Sequence, residues 1–250
     1  VKAIAPSFGA VNLEDIAAPV CFEVEARLRE ELDIPVLHDD QHGTAVVVLA
    51  GLINACKVTG RRLADTRIVM VGAGAAGVAI ATLLHEYAGP EIIAVDSRGV
   101  ISRGRDHLNE HKERLAGYQD SSARTLQEAL EGADAVIGIS HKGLLARGDI
   151  MRMNRDAIVF ALANPDPEIT PEEARAGGAA VIATGRGDYP NQVNNAVAFP
   201  GIFRGALDHG VTRFTREHLM RAAEALASAV VDTSPEKIIP SVFDENVVPS

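Results

Sequence analysis

Two groups of residues in this 250-residue chain have the types and spacing to do chemistry. The first is Gly72, Gly74 and Gly77, spaced G-x-G-x-x-G within RIVMVGAGAAGVAIATLL. In such a turn the first glycine permits the bend, the second lets a pyrophosphate approach the backbone, and the third lets helix and strand pack closely. Free N–H groups and the positive helix end then face the phosphates. Asp96, 24 residues after Gly72, closes the next apolar run and can accept hydrogen bonds from adenosine ribose hydroxyls. The competing reading is an ordinary strand-to-helix turn that binds nothing.

The second group is acidic. Glu14 and Asp15 are adjacent in a loop-like segment, and Asp40 follows a short apolar strand about one helix later. Carboxylates with few nitrogen or sulfur partners suit a hard divalent ion such as Mg²⁺ or Mn²⁺, its shell completed by substrate and water. Neighbouring residues on a regular element point apart, so Glu14 and Asp15 share an ion only if the backbone bends between them. A solvated acidic cluster explains the same residues equally well.

The elements that must position these groups are legible in the periodicity. Val20, Val24, Leu28 and Leu32 predict an amphipathic helix over 19–32, followed by a short strand at 35–38. Residues 44–58 read as a helix buried on most sides, with Gly60 just past its end. Beyond the glycine turn, apolar strands at 91–95, 133–139, 157–163 and 179–183 alternate with helical stretches. This alternation predicts an α/β fold, a doubly wound and mostly parallel sheet of the Rossmann type with helices on both faces. In such a sheet ligands bind beyond the carboxyl ends of the strands. Asp39–Asp40, Asp96, Ser140–His141 and Asn164 all follow strands and are expected along that edge. His38, His42 and His141 are expected to be structural hydrogen-bonding groups more often than acid–base catalysts.

Composition limits the function classes. A formal charge of −10 and a pI near 5.3 argue against sequence-independent nucleic-acid binding and against docking on an anionic membrane. Cys21 and Cys56 stand in no metal or redox spacing, which suits a reducing cytoplasm. The longest uninterrupted apolar stretch, 44–53, is too short to span a bilayer.

The strings NLEDI, HDDQHGTAVVVLAGLINA, VGAGAAGVAIA, VDSRG, ALANP and NNAVAFPG, in that order, resemble the nucleotide-binding part of malic enzyme, most closely its compact bacterial form. The resemblance implies oxidation of L-malate by NAD(P)⁺ and decarboxylation to pyruvate. It implies Glu14, Asp15 and Asp40 as metal ligands, and Asp39 as the residue assisting the catalytic base. It places Ala73, Gly74, Ala75 and Ala76 on the pyrophosphate, and Asn164 and Asn195 near substrate and nicotinamide. It further implies a homo-oligomer, a dimer or larger. One domain over 1–250 is expected, with 1–62 as a lead-in bearing the metal carboxylates and 63–250 as the core. Asp96 favours NAD, because a carboxylate repels the 2′-phosphate of NADP; Arg98, two residues on, can offset that repulsion.

The pattern also departs from the family. Its base Lys and acid Tyr are expected ahead of the metal segment, whereas the chain begins at Val1 and its lysines and tyrosines lie in none of these motifs. An N-terminal substrate domain is therefore expected to be missing from this sequence. The rival readings are a related dehydrogenase, such as malolactic enzyme or an amino-acid dehydrogenase, and a non-catalytic nucleotide-binding regulatory domain. The purified 250-residue chain is expected to bind dinucleotide but to reduce NAD⁺ poorly with malate; robust malate-dependent absorbance at the NADH band would overturn this.

Overall fold

The computed structural model describes residues 1–244 and Val247, so the expected core, drawn to residue 250, runs past the described residues. In chain order the elements are β1 (Val11–Leu13), α1 (Val20–Glu31), β2 (Val36–His38), a π-helical turn (Asp39–Gly43) and α2 (Thr44–Thr59). Next come β3 (Arg67–Val71), α3 (Ala75–Ala88), β4 (Glu91–Asp96), β5 (Gly99–Val100), α4 (Glu110–Ala116), α5 (Leu126–Leu130) and β6 (Ala135–Gly138). They are followed by α6 (Arg147–Ile150), β7 (Ala157–Ala161), α7 (Pro171–Ala176), β8 (Ala179–Thr184), α8 (Phe199–Asp208) and α9 (Arg216–Ser228).

Six strands form one sheet in the order β5-β4-β3-β6-β7-β8. All neighbours run parallel except the short β5, which turns back antiparallel on β4. The order steps outward from β3 in both directions, as in a doubly wound sheet. Successive residues feed opposite faces. Ile68, Met70, Ile92 and Ala94 join the larger apolar cluster with α2, α3 and α9, while Val69, Val71, Ile93 and Val95 join the smaller one with α5, α6 and α7. Coverage of both faces is why these strands are continuously apolar rather than alternating.

β1 and β2 make a separate two-stranded parallel ribbon, with Leu13 paired to His38. β1 is too short to show periodicity, and β2 does not join the main sheet. The Asp39–Asp40 pair therefore ends the ribbon, while Asp96 ends a strand of the larger sheet. α1 keeps its expected extent and most of its expected face, since Leu28 and Leu32 are buried and Val24 packs against their cluster. Its buried positions are Cys21, Glu25 and Leu28, and Val20 is exposed. The inward face tolerates a carboxylate because His42 pairs with Glu25.

α2 is the helix about which the larger cluster is built. The π-helical turn runs directly into it, giving helical backbone over Asp39–Thr59, 21 residues whose most apolar 18-residue window has mean hydropathy 1.3. On length and composition that helix could cross a bilayer; 67% of its apolar window is buried inside the protein. At Gly51 an added Cβ would lie 3.1 Å from the Phe160 ring, so the small residue lets β7 approach the helix. Gly60 ends the helix at φ +68°, a left-handed position suited to glycine.

Asn54 is fully buried on α2, and its amide donates to the carbonyls of Ala227 (2.8 Å) and Ile238 (3.0 Å). These two bonds tie α2 to the end of α9 and to the segment beyond it. Asn54→Ala removes both and opens a small void, which should lower unfolding free energy by roughly 2–4 kcal/mol. Urea denaturation should show the midpoint falling; an unchanged midpoint would contradict this role for the amide.

Candidate functional site

The glycine turn connects β3 to α3. Gly72 sits at φ +115°, and a Cβ there would meet the Ile139 carbonyl oxygen at 2.6 Å. A Cβ on Gly77 would fall 2.0 Å from the Gly72 carbonyl oxygen. Gly74 differs from both, since a Cβ there would meet nothing within 4 Å. Gly72 and Gly77 thus serve the close crossing of strand and helix, and Gly74 opens onto space. No side chain caps the first turn of α3, which leaves its N–H groups for a ligand.

That space is a cavity of about 680 Å³ whose wall includes Gly72, Ala73, Gly74, Asp96, Arg98 and Ser140. Asp96 is not an open acceptor. Arg105 grips both of its oxygens (2.9 and 2.6 Å), Lys112 Nζ lies 2.7 Å away, and the Arg98 N–H donates at 2.9 Å. Burial alone would raise this carboxyl; the hydrogen bonds from Arg105, Lys112 and Arg98 outweigh it and hold the group well below the usual carboxylate range. Lys112 and Arg124 also line the cavity. Neither stands in a recognisable motif, and Arg105 and Lys112 reach Asp96 only because the loop after β5 and α4 fold back across the end of β4.

At the ends of β6 and β7 a buried carboxylate does the positioning. Glu168 accepts from the backbone N–H groups of Ser140 (2.7 Å) and Ala163 (3.0 Å). Burial pushes its carboxyl up despite these two donors. β6 must end in Gly138, because a Cβ there would lie 2.5 Å from the Glu168 carboxyl carbon. Ser140 and His141 line the cavity and hydrogen-bond each other at 3.1 Å. Asn164 is exposed at the end of β7 and does not line that cavity.

The carboxylates gather at the ribbon. Leu13 and His38 are in register, so Glu14 and Asp39 leave the two strands side by side. Asp15 has φ +58°, the bend that adjacent ligands need, and its N–H donates to Asp40 Oδ2 at 2.8 Å. Asp39 is buried, with Oδ2 accepting from Asn195 Nδ2 at 2.9 Å and Oδ1 unpartnered. Burial first, and then the nearby negative charge of Glu14, push its carboxyl up to about 6. Gly43 is required beneath it, since a Cβ there would lie 2.0 Å from Asp39 Oδ1. Among the described residues no three or more His, Cys, Asp or Glu side chains converge closely enough to hold a metal ion. The carboxylates nonetheless suit a hard cation, since they offer oxygens and one buried carboxylate oxygen lacks a donor. His38, expected to be a structural hydrogen-bonding group, lies buried beside them with Nδ1 3.9 Å from Asp40 Oδ2 and neither ring nitrogen hydrogen-bonded.

Apart from Asn164, the expected residues therefore fall into two places. Gly72, Ala73, Gly74, Asp96, Arg98 and Ser140 share the cavity; Ala75, Ala76 and Gly77 form the first turn of α3 beside it. Glu14, Asp15, Asp39, Asp40 and Asn195 sit at the ribbon, Asn195 being brought there by its bond to Asp39.

The raised Asp39 carboxyl has a consequence for stability. In the folded chain this group binds its proton up to about pH 6, whereas an unfolded aspartate releases it near 3.8. The native state holds more protons between those values, so in metal-free buffer stability falls as pH rises through that window. Asp39→Asn keeps an acceptor for Asn195 and removes the charge. Its unfolding free energy should exceed that of the parent above pH 6, by roughly 3 kcal/mol at most, and converge with it below pH 4, with the thermal midpoints following in the same sense. A pH-independent difference would contradict the assignment.

Residues 41–247 match the family model described as malic enzyme, NAD binding domain. The chain is 49% identical to the bifunctional malic/malolactic enzyme of Bacillus subtilis over 100% of this chain and 62% of that protein. It is 50% identical to the NADP-dependent malic enzyme of Rhizobium meliloti over 95% of this chain and 32% of that protein. The crystal structure of the NAD-dependent malic enzyme from Thermotoga maritima superimposes with a TM-score of 0.93 at 44% identity, covering 99% of this chain and 67% of that one. The chain thus spans less than two thirds of the length of these two curated relatives. With the glycine turn, the doubly wound sheet and a match over most of its length, this chain belongs to the malic enzyme family and contains its NAD-binding domain.

Proposed function

We propose that this chain supplies the nucleotide- and metal-binding part of an enzyme that oxidises L-malate with NAD(P)⁺ and decarboxylates it to pyruvate and carbon dioxide. The observation that carries the reading is the glycine turn opening onto a 680 Å³ cavity beside Asp96, with the ribbon carboxylates joined to the main fold through Asp39 and Asn195. The lead-in over 1–62 would bring the carboxylates, and the remainder would form the nucleotide-binding core, within one domain.

Glu14, Asp15 and Asp40 would hold Mg²⁺ or Mn²⁺, which when bound supplies a Lewis acid and a template for the malate carboxylate and hydroxyl. The backbone N–H groups of Ala73 to Ala76 would bind the pyrophosphate, and Ser140 lines the cavity. Asn195 and Asn164 orient substrate or carboxamide without adding charge to an acidic site. Asp39, buried and raised toward 6, is suited to assist a base by sharing a proton near neutrality.

Asp96 supports NAD, with NADP admitted. Its negative charge is matched by Arg105 and Lys112, so the repulsion of a 2′-phosphate that an isolated carboxylate would exert is offset. Malolactic conversion is the second reading, supported by the bifunctional Bacillus subtilis relative. A homo-oligomer belongs to the same proposal; Ile4, Phe8 and Leu207 expose large apolar surfaces that such an assembly could bury.

Titration by fluorescence should show both dinucleotides binding within about tenfold of each other. Gly77→Ala should weaken both more than tenfold, because the methyl displaces the turn. Malate binding to the dinucleotide-loaded chain should require Mg²⁺ or Mn²⁺ and be lost on chelation or in Asp40→Asn. Malate binding that ignores the divalent ion would overturn the metal assignment and favour the amino-acid-dehydrogenase or regulatory reading.

A further inference from the structure

A second cavity, of about 220 Å³, opens between α1, the Asp39–Gly43 turn, α3 and α4. It has no wall residue in common with the 680 Å³ cavity. It is separated from the space over the Ala73–Gly74 turn by Phe22, Val78 and His111, which face both. Phe22 and His111 are stacked, with ring centroids 4.1 Å apart.

The polar groups on its wall are unusual in what they lack. Gln41 is 3% exposed and Thr82 is 2% exposed, yet Gln41 Nε2 and Thr82 Oγ1 have no hydrogen-bond partner. His42 spends Nε2 on Glu25, at 2.9 and 3.0 Å from the two oxygens, and its buried Nδ1 is also unpartnered. The Glu25 charge is answered within the wall by His42 and, at 3.9 Å, by Arg29, although Oε1 accepts no hydrogen bond. At the rim stand Arg114 and Arg216, both half-exposed and paired only loosely, at 3.6 Å to Glu110 and 3.4 Å to Glu86.

A buried donor left without a partner costs roughly 1–3 kcal/mol, and a core position that needed no partner would do better apolar. Water could satisfy the Gln41 and Thr82 donors, but water does not account for two arginines at the rim. One chemistry answers both features: a small oxyanion, whose oxygens accept from the buried donors while its charge is met by the guanidinium groups. We propose that this cavity is a binding site for such an oxyanion, a phosphate or a small dicarboxylate, separate from the phosphate turn used by the dinucleotide.

The test is isothermal titration of the full chain with inorganic phosphate and, in a parallel arm, with succinate, in low-salt buffer, each with and without saturating dinucleotide. One-to-one binding of at least one of the two anions is expected, retained when dinucleotide is bound. Thr82→Val removes a hydroxyl that no protein group uses, so it should weaken the anion about tenfold without lowering the thermal midpoint. Arg114→Gln with Arg216→Gln should weaken it several-fold and flatten its dependence on ionic strength. The proposal is overturned if neither anion binds, if dinucleotide abolishes the binding, or if Thr82→Val leaves the affinity unchanged. Should the chain bind no dinucleotide at all, the preceding functional reading fails while the Thr82→Val comparison still decides this one.

Discussion

The contact on which the nucleotide site depends is the passage of α3 across the end of β3. A methyl on Gly77 would sit 2.0 Å from the Gly72 carbonyl oxygen, so the helix is already as close to the strand as backbone allows. That closeness places the uncapped first turn of α3 at the carboxyl edge of the sheet, beside Gly74 and its open space. It also seats α3 against α2, and therefore sets how the larger apolar cluster closes. Loosening the crossing would move the N–H groups away from any bound phosphate and unpack the helix behind them together.

Around this crossing the chain arranges charge by enclosure rather than by count. Asp96 and Asp39 are both aspartates that follow strands, yet their environments push them in opposite directions. Asp96 is gripped by Arg105 and Lys112 and stays ionised to low pH. Asp39 is buried near Glu14 with one oxygen unpartnered, and its carboxyl rises to about 6. One is thereby suited to fix a loop and shape a cavity, the other to exchange a proton or answer a cation. Glu168 shows a third use, a buried carboxylate that holds the ends of β6 and β7 through their N–H groups.

Much of the fold was legible in the residues because it rests on local constraints. The glycine spacing, the continuously apolar strands and the left-handed Gly60 each express a conformational requirement of a few consecutive residues. Even the bend between Glu14 and Asp15 follows from side-chain geometry, and Asp15 has the positive φ that supplies it. The burial of Glu25 on α1 could not be read this way. Glu25 is buried there because His42, seventeen positions away, pairs with it. Likewise β2 follows the pattern of a sheet strand but pairs with β1 alone.

The sequence by itself determined the fold class, the dinucleotide turn and which carboxylates were candidates for a metal, since each depends on residue type and near-neighbour spacing. Only the tertiary structure decided how those groups are partnered. Lys112 and Arg105 reach Asp96, Asn195 reaches Asp39 across 156 positions, and Gln41 and Thr82 meet in one cavity. Such meetings depend on where helices and loops come to rest on the sheet. The packing that fixes this is a property of the whole core, and no short window of residues encodes it.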